Sequence, residues 1–314
     1  PQDPAQKPAG LTVEQLCDAF AEEKAREYCP GEIAHYRSSL KRLRLLFGKR
    51  PAESIGRRQL KEVRQLMIRA GSCVKTINGQ VRRLKAVFVW AAEEELIPDE
   101  VPAALAALRP LKRGQAKANG HVGSVCDALV EQTCRHLPPE AADLVRLLRI
   151  SGARCGELFA MRGQDVQIKD ERLWVYRPAR HKNSWRGRGH DRSIKFGPRA
   201  IALLRPVLAA RPAGELLFVR PAWSDPRNRN RHTIGTAWDR CSFGHLIQRT
   251  CARLGLEHWH PHQLRHSAAT EAYNRPGGSV SGAQRLLGHA RASTTETYIQ
   301  AQDDPAEQLA RQFG

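Results

Sequence analysis

Hydrophobic residues in the first part of the chain recur every three to four positions, the spacing of one face of an α-helix. Thr12 and Gln15 form a capping-box pair that predicts the start of a first helix. Leu16 and Phe20 lie on the apolar face of that helix. The same spacing predicts three further helices, from about residue 32 to 47, around 58–68 and from about 72 to 97.

The second half of the chain mixes two periodicities. Helical spacing predicts helices over 126–134 and 141–151, and again from residue 198 onward. Between them, short apolar runs predict three antiparallel strands at 166–168, 173–176 and 192–196, with a tight turn at 169–171. The predicted fold is therefore mainly α-helical with a small antiparallel β-sheet, an α+β arrangement.

Prolines and basic residues gather between these two halves and predict an extended linker over residues 103–121. At 314 residues the chain is long enough for two domains, each with its own core. We expect a helical domain over 11–102 and a second domain over 122–314. Residues 1–10, which are polar and rich in proline, are predicted to be disordered.

The chain is strongly basic, with 51 Lys and Arg against 32 Asp and Glu, a net charge of +19. This excess indicates a polyanionic partner, and nucleic acid is the first candidate. Basic residues pervade both halves, which disfavours a protein that merely happens to be basic. Two predicted helices carry cations off their apolar stripes, and we expect these to contact the DNA backbone unless they form ordinary solvated faces: Arg42, Arg44, Lys75, Arg82, Arg83 and Lys85.

The eight cysteines show no CxxC pair and no regular spacing, which predicts free, mostly buried thiols in a reducing compartment. No apolar run approaches the roughly 20 residues that cross a bilayer. The amino-terminal residues also lack the basic-then-apolar pattern of a signal peptide. The expected location is the bacterial cytoplasm or nucleoid.

Five cationic or imidazole side chains precede a solitary tyrosine in the second half: Arg154, Lys182, His262, Arg265, His289 and then Tyr298. A phosphodiester is an anion, so a nucleophile reaches phosphorus easily only when positive donors hold the non-bridging oxygens. Arginine suits that task because its planar fork stays charged and binds two oxygens at once. Glu157, three residues after Arg154, is placed to hold that guanidinium, although an ordinary surface pair has the same spacing.

The segments GARCGEL, HPHQLRHSAAT and RLLGHARASTTETYI, in that order, resemble the tyrosine recombinase (phage integrase) family. The resemblance covers nearly the whole chain. It implies a site-specific DNA recombinase in which Tyr298 attacks a scissile phosphate and forms a 3′-phosphotyrosyl link with a free 5′-hydroxyl. The resemblance also implies that Arg154, Arg265, His262 and His289 surround that phosphate, and that neither metal, ATP nor another cofactor takes part.

Two lysines are candidates for the general acid. Lys182 lies between the second and third predicted strands, where the family places its lysine, and a lysine whose pKa is lowered by neighbouring cations can protonate the departing 5′-oxygen. The loop is longer here than in the family, and it contains Arg186 and Arg188, which we expect to contact DNA. Lys195 is the competing candidate, in which case Lys182 only touches backbone phosphates.

Histidines crowd the segment before and within the predicted helix at Pro261: His258, His260, His262 and His266, with Cys241 and Cys251 upstream. Such a group raises the alternative of a zinc site. The spacing fits no standard finger, and the proline interrupts it, so no metal is predicted. His266 is expected to be a structural residue.

The resemblance implies a C-shaped clamp of two domains on double-stranded DNA and a homotetramer assembled on two DNA sites. The amphipathic tail at 304–313 either docks on a neighbouring subunit or packs on its own domain. The sequence is also compatible with two rival functions, a type IB topoisomerase and a catalytically silent architectural or regulatory DNA-binding protein. The target site, any accessory DNA-bending factor, and the choice between integration, excision and resolution are not determined.

Overall fold

The computed structural model describes residues 10–118, 120, 122–179, 192–221, 235–289 and 291–299. Four sets of predicted features lie outside the described residues: the disordered segment up to residue 9, Lys182, the loop cations Arg186 and Arg188, and the tail at 304–313. The chain divides into two compact units, with the boundary between residues 121 and 122.

The described part of the first unit is helical, as its periodicity predicts. The capping box is present, because the Gln15 backbone N–H donates to Thr12 Oγ1 (3.3 Å) and the Thr12 N–H donates to Gln15 Oε1 (2.9 Å). The core lies between the first, second and fourth helices, where Phe20, Leu43 and Phe88 are buried. The helices are α1 Val13–Glu27, α2 Pro30–Phe47, α3 Arg57–Arg69, α4 Val74–Glu93 and α5 Glu100–Ala106.

The segment predicted as an extended linker is instead packed on the first unit over most of its length. It begins within α5, and Leu105, Leu108 and Leu111 are buried in the core of that unit. The Asn78 side chain donates to the Leu111 carbonyl (2.9 Å) and accepts from the Leu111 N–H (2.8 Å). The predicted start of the linker at residue 103 is therefore wrong, since three apolar side chains at three-residue spacing gain more from burial than from an extended path.

The second unit combines helices with one three-stranded antiparallel sheet of order β1-β2-β3, which confirms the predicted fold class. The strands are β1 Val166–Ile168, β2 Trp174–Tyr176 and β3 Ile194–Phe196, with Val166 opposite Tyr176 and Tyr176 opposite Ile194. The helices are α6 Asp127–Cys134, α7 Pro139–Ser151, α8 Cys155–Phe159, α9 Pro198–Ala210, α10 Arg240–Leu254, α11 Pro261–Asn274, α12 Val280–Leu287 and α13 Ala292–Glu296.

Helix α7 lies in the middle of this unit and packs against α9 and α11, with Leu144, Leu147 and Leu148 buried. The sheet is tied to α8 by the Tyr176 hydroxyl, which donates to the Glu157 carbonyl (2.7 Å). Helix α11 packs on both α7 and α12. The carboxyl end of α7, the start of α8 and the end of α12 therefore come together around α11.

All eight cysteines are free, as expected, but most of them are not buried. Three are buried, namely Cys17, Cys134 and Cys251, and three are exposed, namely Cys29, Cys126 and Cys241. The expectation of mostly buried thiols is wrong because several of them lie at or just before a helix start, where the chain meets solvent. Within the described residues, no helix combines the length and apolar character that a membrane span requires.

Candidate active site

Arg154 is placed by a sharp turn between α7 and α8. Gly152 ends α7 with a left-handed backbone (φ 60°), and a Cβ at this position would meet the Leu287 side chain at 2.8 Å. Arg154 then caps α8, where its backbone N–H donates to Glu157 Oε2 (2.8 Å). Its guanidinium NH1 donates to Glu157 Oε1 (2.9 Å). The predicted partner of Arg154 is thus bonded to both its backbone and its side chain.

Glu157 binds a second arginine that sequence reasoning missed. Arg192 donates through Nε to Oε1 (3.1 Å) and through NH2 to Oε2 (3.0 Å). Desolvation by itself raises the pKa of Glu157, but the Arg192 hydrogen bonds and the charges of Arg192 and Arg154 hold that pKa below its ordinary value. The signal was present in the strand pattern. Side chains alternate between the two faces of a strand, so Arg192 falls on the same face as the buried Ile194 and Phe196. A charged side chain on a buried face requires a partner of opposite charge.

Arg265 lies in α11 with only 2% of its surface exposed. Its NH1 donates to the Gly152 carbonyl (2.6 Å) and its NH2 to the Leu287 carbonyl (2.8 Å). Its Nε is buried and has no hydrogen-bond partner within the described part of the chain. Desolvation and then the charges of Arg154 and Arg192 lower the pKa of Arg265 to about 10, so the group stays positive at neutral pH.

The tyrosine and the first histidine of the predicted set are in direct contact. His262 Nε2 and the Tyr298 hydroxyl are 2.8 Å apart. Desolvation, followed by the charges of His266 and Arg265, lowers the pKa of His262 to about 4. The Arg265 Cζ lies 6.0 Å from the centroid of the Tyr298 ring. The backbone N–H of Tyr298 donates to the carbonyl of Thr295 (2.8 Å), which holds the residue just after α13.

His289 follows the end of α12, where Gly288 adopts a left-handed backbone (φ 65°). Its Nδ1 lies 2.9 Å from the hydroxyl of Thr295, a fully buried residue that the sequence did not single out. Its ring centroid is 5.0 Å from that of Tyr298. Desolvation, then the charges of Arg265 and Arg154, lower the pKa of His289 to about 4.

The structure therefore brings His262, Arg265, His289 and Tyr298 into one cluster, to which Arg154 connects electrostatically. The lysine is a separate matter. Lys182 lies outside the described residues, whereas Lys195 is exposed in the middle of β3 between two buried neighbours. Lys182 and Lys195 therefore both stay candidates for the general acid.

The six predicted DNA-binding residues of α2 and α4 differ in their exposure and in whether their side chains bind other groups of the first unit. Lys75 and Arg82 are exposed and, seven positions apart, share one face of α4. The other four have partners within the first unit. Arg44 pairs with Glu14 and Asp18, Arg42 donates to Gln80, Arg83 lies 3.5 Å from Glu32, and Lys85 donates to the carbonyls of Ala106 and Leu108.

The histidines and cysteines considered as a zinc site do not form one group in the structure. His258 and His260 are exposed and contact each other edge to face, with ring centroids 4.4 Å apart. Cys251 is buried beside Thr133, and Cys241 is exposed at the start of α10. In the described ranges no three His, Cys, Asp or Glu side chains are grouped so that they could hold a metal ion.

A phenol surrounded by guanidinium and imidazole groups, on a helical unit with a small antiparallel sheet, is the arrangement that attack of a tyrosine on a phosphodiester would require. The sequence profile of the phage integrase family matches residues 124–304, and the chain belongs to that family. It is a tyrosine recombinase, a member of a class of enzymes that cleave and rejoin DNA.

A curated relative and two solved structures are similar to this chain, the structures in their fold. The tyrosine recombinase XerC of Alcanivorax borkumensis is 26% identical over 291 residues, which cover 91% of this chain and 88% of that protein. The Tn1549 transposon integrase in complex with a circular intermediate DNA has the same fold, with a TM-score of 0.68, 18% identity, and coverage of 96% of this chain and 99% of that one. A lambda integrase tetramer bound to a Holliday junction matches with a TM-score of 0.70 at 17% identity, over 93% of this chain and 78% of that one.

Proposed function

We propose that Tyr298 is the nucleophile of this recombinase and that His262, Arg265, Arg154 and His289 prepare the scissile phosphate for its attack. This proposal rests on the 2.8 Å contact between His262 Nε2 and the Tyr298 hydroxyl, which lies near the buried guanidinium of Arg265. A phenol with an ordinary pKa near 10 needs both a proton acceptor and nearby positive charge to attack phosphorus at neutral pH. Both lie within one cluster of side chains.

The two arginines would hold the non-bridging oxygens of the phosphate. Arg265 is fixed by two backbone carbonyls, and its buried Nε, unpartnered among the described residues, is a donor suited to one oxygen. Arg154 is anchored at NH1 by Glu157, which leaves the rest of its fork for the other oxygen. Thr295 holds the His289 ring through Nδ1, so that Nε2 is left for a phosphate oxygen. Fixed donors of this kind stabilise the charge that develops during attack.

The proton transfers follow from the lowered imidazole pKa. His262, with a pKa of about 4, is neutral at pH 7 and can accept the phenolic proton. The negative charge of an arriving phosphate raises that pKa, so His262 becomes a better base when substrate is in place. The P–Oη bond forms as the P–O5′ bond breaks, and Lys182 gives its proton to the departing 5′-oxygen, with Lys195 as the alternative donor. The phosphotyrosyl ester retains the bond energy, so a 5′-hydroxyl reverses the step without ATP or metal.

Double-stranded DNA is the proposed partner of both units. The exposed cations Lys75 and Arg82 on α4, together with Arg186 and Arg188, are the proposed backbone contacts. A structurally similar lambda integrase is a tetramer on a Holliday junction, which supports assembly of four copies on two DNA sites. The tail at 304–313 would link copies or pack on its own unit, and the protein would act in the bacterial cytoplasm or nucleoid.

A nicked suicide substrate tests the nucleophile, because the 5′-leaving strand diffuses away and the covalent adduct accumulates. Tyr298→Phe is expected to abolish the adduct while leaving DNA affinity within about twofold, since only the hydroxyl is lost. Tyr273→Phe, a change of the same chemistry in α11, is the matched control and should still form adduct. An adduct that persists in Tyr298→Phe would contradict the assignment.

A further inference from the structure

The Glu157 carboxylate is saturated by two arginines. Oε1 accepts from Arg154 NH1 (2.9 Å) and Arg192 Nε (3.1 Å), and Oε2 accepts from the Arg154 backbone N–H (2.8 Å) and Arg192 NH2 (3.0 Å). Glu157 is 4% exposed and Arg192 is 8% exposed, so water screens neither charge well. One buried negative charge therefore faces two positive charges.

We propose that Arg192 is a positioning residue that neutralises Glu157, so that the Arg154 guanidinium remains available to the scissile phosphate. With a single arginine, a buried carboxylate would take that guanidinium as a bidentate partner and cancel its charge. With two arginines, the triad keeps a net charge of one positive unit. Because Arg192 supplies a two-point fork, Glu157 needs only one side-chain hydrogen bond from Arg154. The inference rests on the proposed role of Arg154 as a phosphate ligand.

Arg192 also touches the opposite side of the site. The turn at Gly288 lies directly over its guanidinium, because a Cβ built on this glycine would overlap Arg192 NH1 and lie 3.1 Å from its Cζ. Gly288 immediately precedes His289, and Arg192 is among the charges that lower the pKa of His289 and of Arg265. One side chain thus contacts the start of α8, which carries Arg154, and the end of α12, which carries His289.

A purely structural role of Arg192 and a role in neutralising Glu157 predict different cleavage rates for the variants. If Arg192 only fills space, removing the charge of Glu157 in an Arg192→Gln background leaves the defect unchanged or worsens it. If Arg192 neutralises Glu157, then Glu157→Gln in that background removes the competitor for Arg154 and restores part of the rate. A double-mutant cycle on the cleavage rate separates the two roles.

The experiment measures single-turnover adduct formation on the nicked suicide substrate at saturating DNA, together with DNA affinity and the thermal unfolding midpoint. The variants are Arg192→Gln, Arg192→Lys, Glu157→Gln and the double Arg192→Gln/Glu157→Gln. Arg211→Gln is the matched control, since it breaks a half-buried pair with Glu140 (3.0 Å) in the same unit. We expect Arg192→Gln to slow cleavage about tenfold or more with little change in affinity, because groups that orient a ligand of a reacting centre have effects of about that size.

The double variant should cleave faster than Arg192→Gln alone, Arg192→Lys should fall between Arg192→Gln and the unmodified protein, and Arg211→Gln should cleave at the unmodified rate. Cleavage by Arg192→Gln at the unmodified rate, or a folded double variant no faster than Arg192→Gln, overturns the inference. If Arg192→Gln does not fold, the comparison of Arg192→Lys with Arg192→Lys/Glu157→Gln decides by the same criterion. Absence of adduct in the unmodified protein would overturn the proposed function itself, and this inference with it.

Discussion

The imidazole of His266 lies flat against the ring of Tyr298, with centroids 4.0 Å apart and planes 13° apart. His262 meets both rings edge-on, at 5.7 Å from His266 and 5.5 Å from Tyr298. The phenol is therefore held against one imidazole while its hydroxyl contacts the other. His266, expected from sequence to be structural, thus packs against the proposed nucleophile.

The stacking predicts a graded effect of substitutions at His266. His266→Ala removes the surface against which Tyr298 rests, and because such ring pairs contribute about 0.5–1.5 kcal/mol, adduct formation should slow by roughly twofold to thirteenfold. His266→Phe keeps a flat ring and should cleave faster than the alanine variant. DNA affinity should not change in either. Equal losses in both variants would indicate a polar role for His266 in place of stacking.

Gly288 and Gly255 form a matched pair for testing the turn before His289. Both end a helix with φ of 65°, so alanine at either costs roughly 1–2 kcal/mol of backbone strain. Nothing lies within 4 Å of a Cβ at Gly255, whereas a Cβ at Gly288 overlaps the Arg192 guanidinium. Gly288→Ala should therefore lower stability further than Gly255→Ala, as measured by urea unfolding, and only Gly288→Ala should slow cleavage. Equal stability losses with equal cleavage rates would argue against the contact.

The lowered imidazole pKa values predict acid sensitivity of the folded protein. The folded pKa of His289 is about 4, below the ordinary value of 6.5 in the unfolded chain. Between these values the unfolded chain binds a proton that the folded chain does not, so the stabilising contribution is complete above pH 6.5 and is lost as pH falls toward 4. The slope is below the limit of about 1.4 kcal/mol per pH unit for one proton, since the ring is partly solvated.

His289→Gln should accordingly lose less of its thermal midpoint between pH 7 and pH 5 than the unmodified protein does. His35→Gln, at an exposed position on α2, serves as the control and should behave like the unmodified protein. Differential scanning fluorimetry at both pH values measures the effect. The same drop in all three proteins would mean that His289 does not contribute to the acid sensitivity.

Helix α4 should contribute phosphate contacts that α2 does not. Lys75→Ala or Arg82→Ala is expected to weaken DNA binding and to reduce the slope of log affinity against log salt by about one each. Arg44→Ala changes the charge by the same amount, but its guanidinium is held by Glu14 and Asp18, so a smaller effect is expected. Titrations at several salt concentrations test this. An effect of Arg44→Ala as large as that of Arg82→Ala would show that the ion pairs open on DNA.

Local patterns were sufficient for much of the fold. The Thr12–Gln15 cap, helices α1 to α4 and the three strands depend on residues close in sequence, and each appears near its predicted position, whereas α5 was not predicted. The linker was misjudged because its prolines and cations are local signals of an open chain. Leu111 is instead buried in the core of the first unit, and its backbone is hydrogen-bonded to Asn78, 33 positions away.

Motif order by itself determined the family and pointed to His262, Arg265 and His289, which lie close to Tyr298, but it gave no role to His266, which stacks on that ring. Only the tertiary structure decided which of the many cations remain free. Arg44 is occupied by carboxylates of α1, and Glu157 is shared between Arg154 and Arg192, which lies 35 positions from it. The physical reason is that charge neutralisation depends on distances of a few ångströms between groups far apart along the chain, and a sequence contains no such distances.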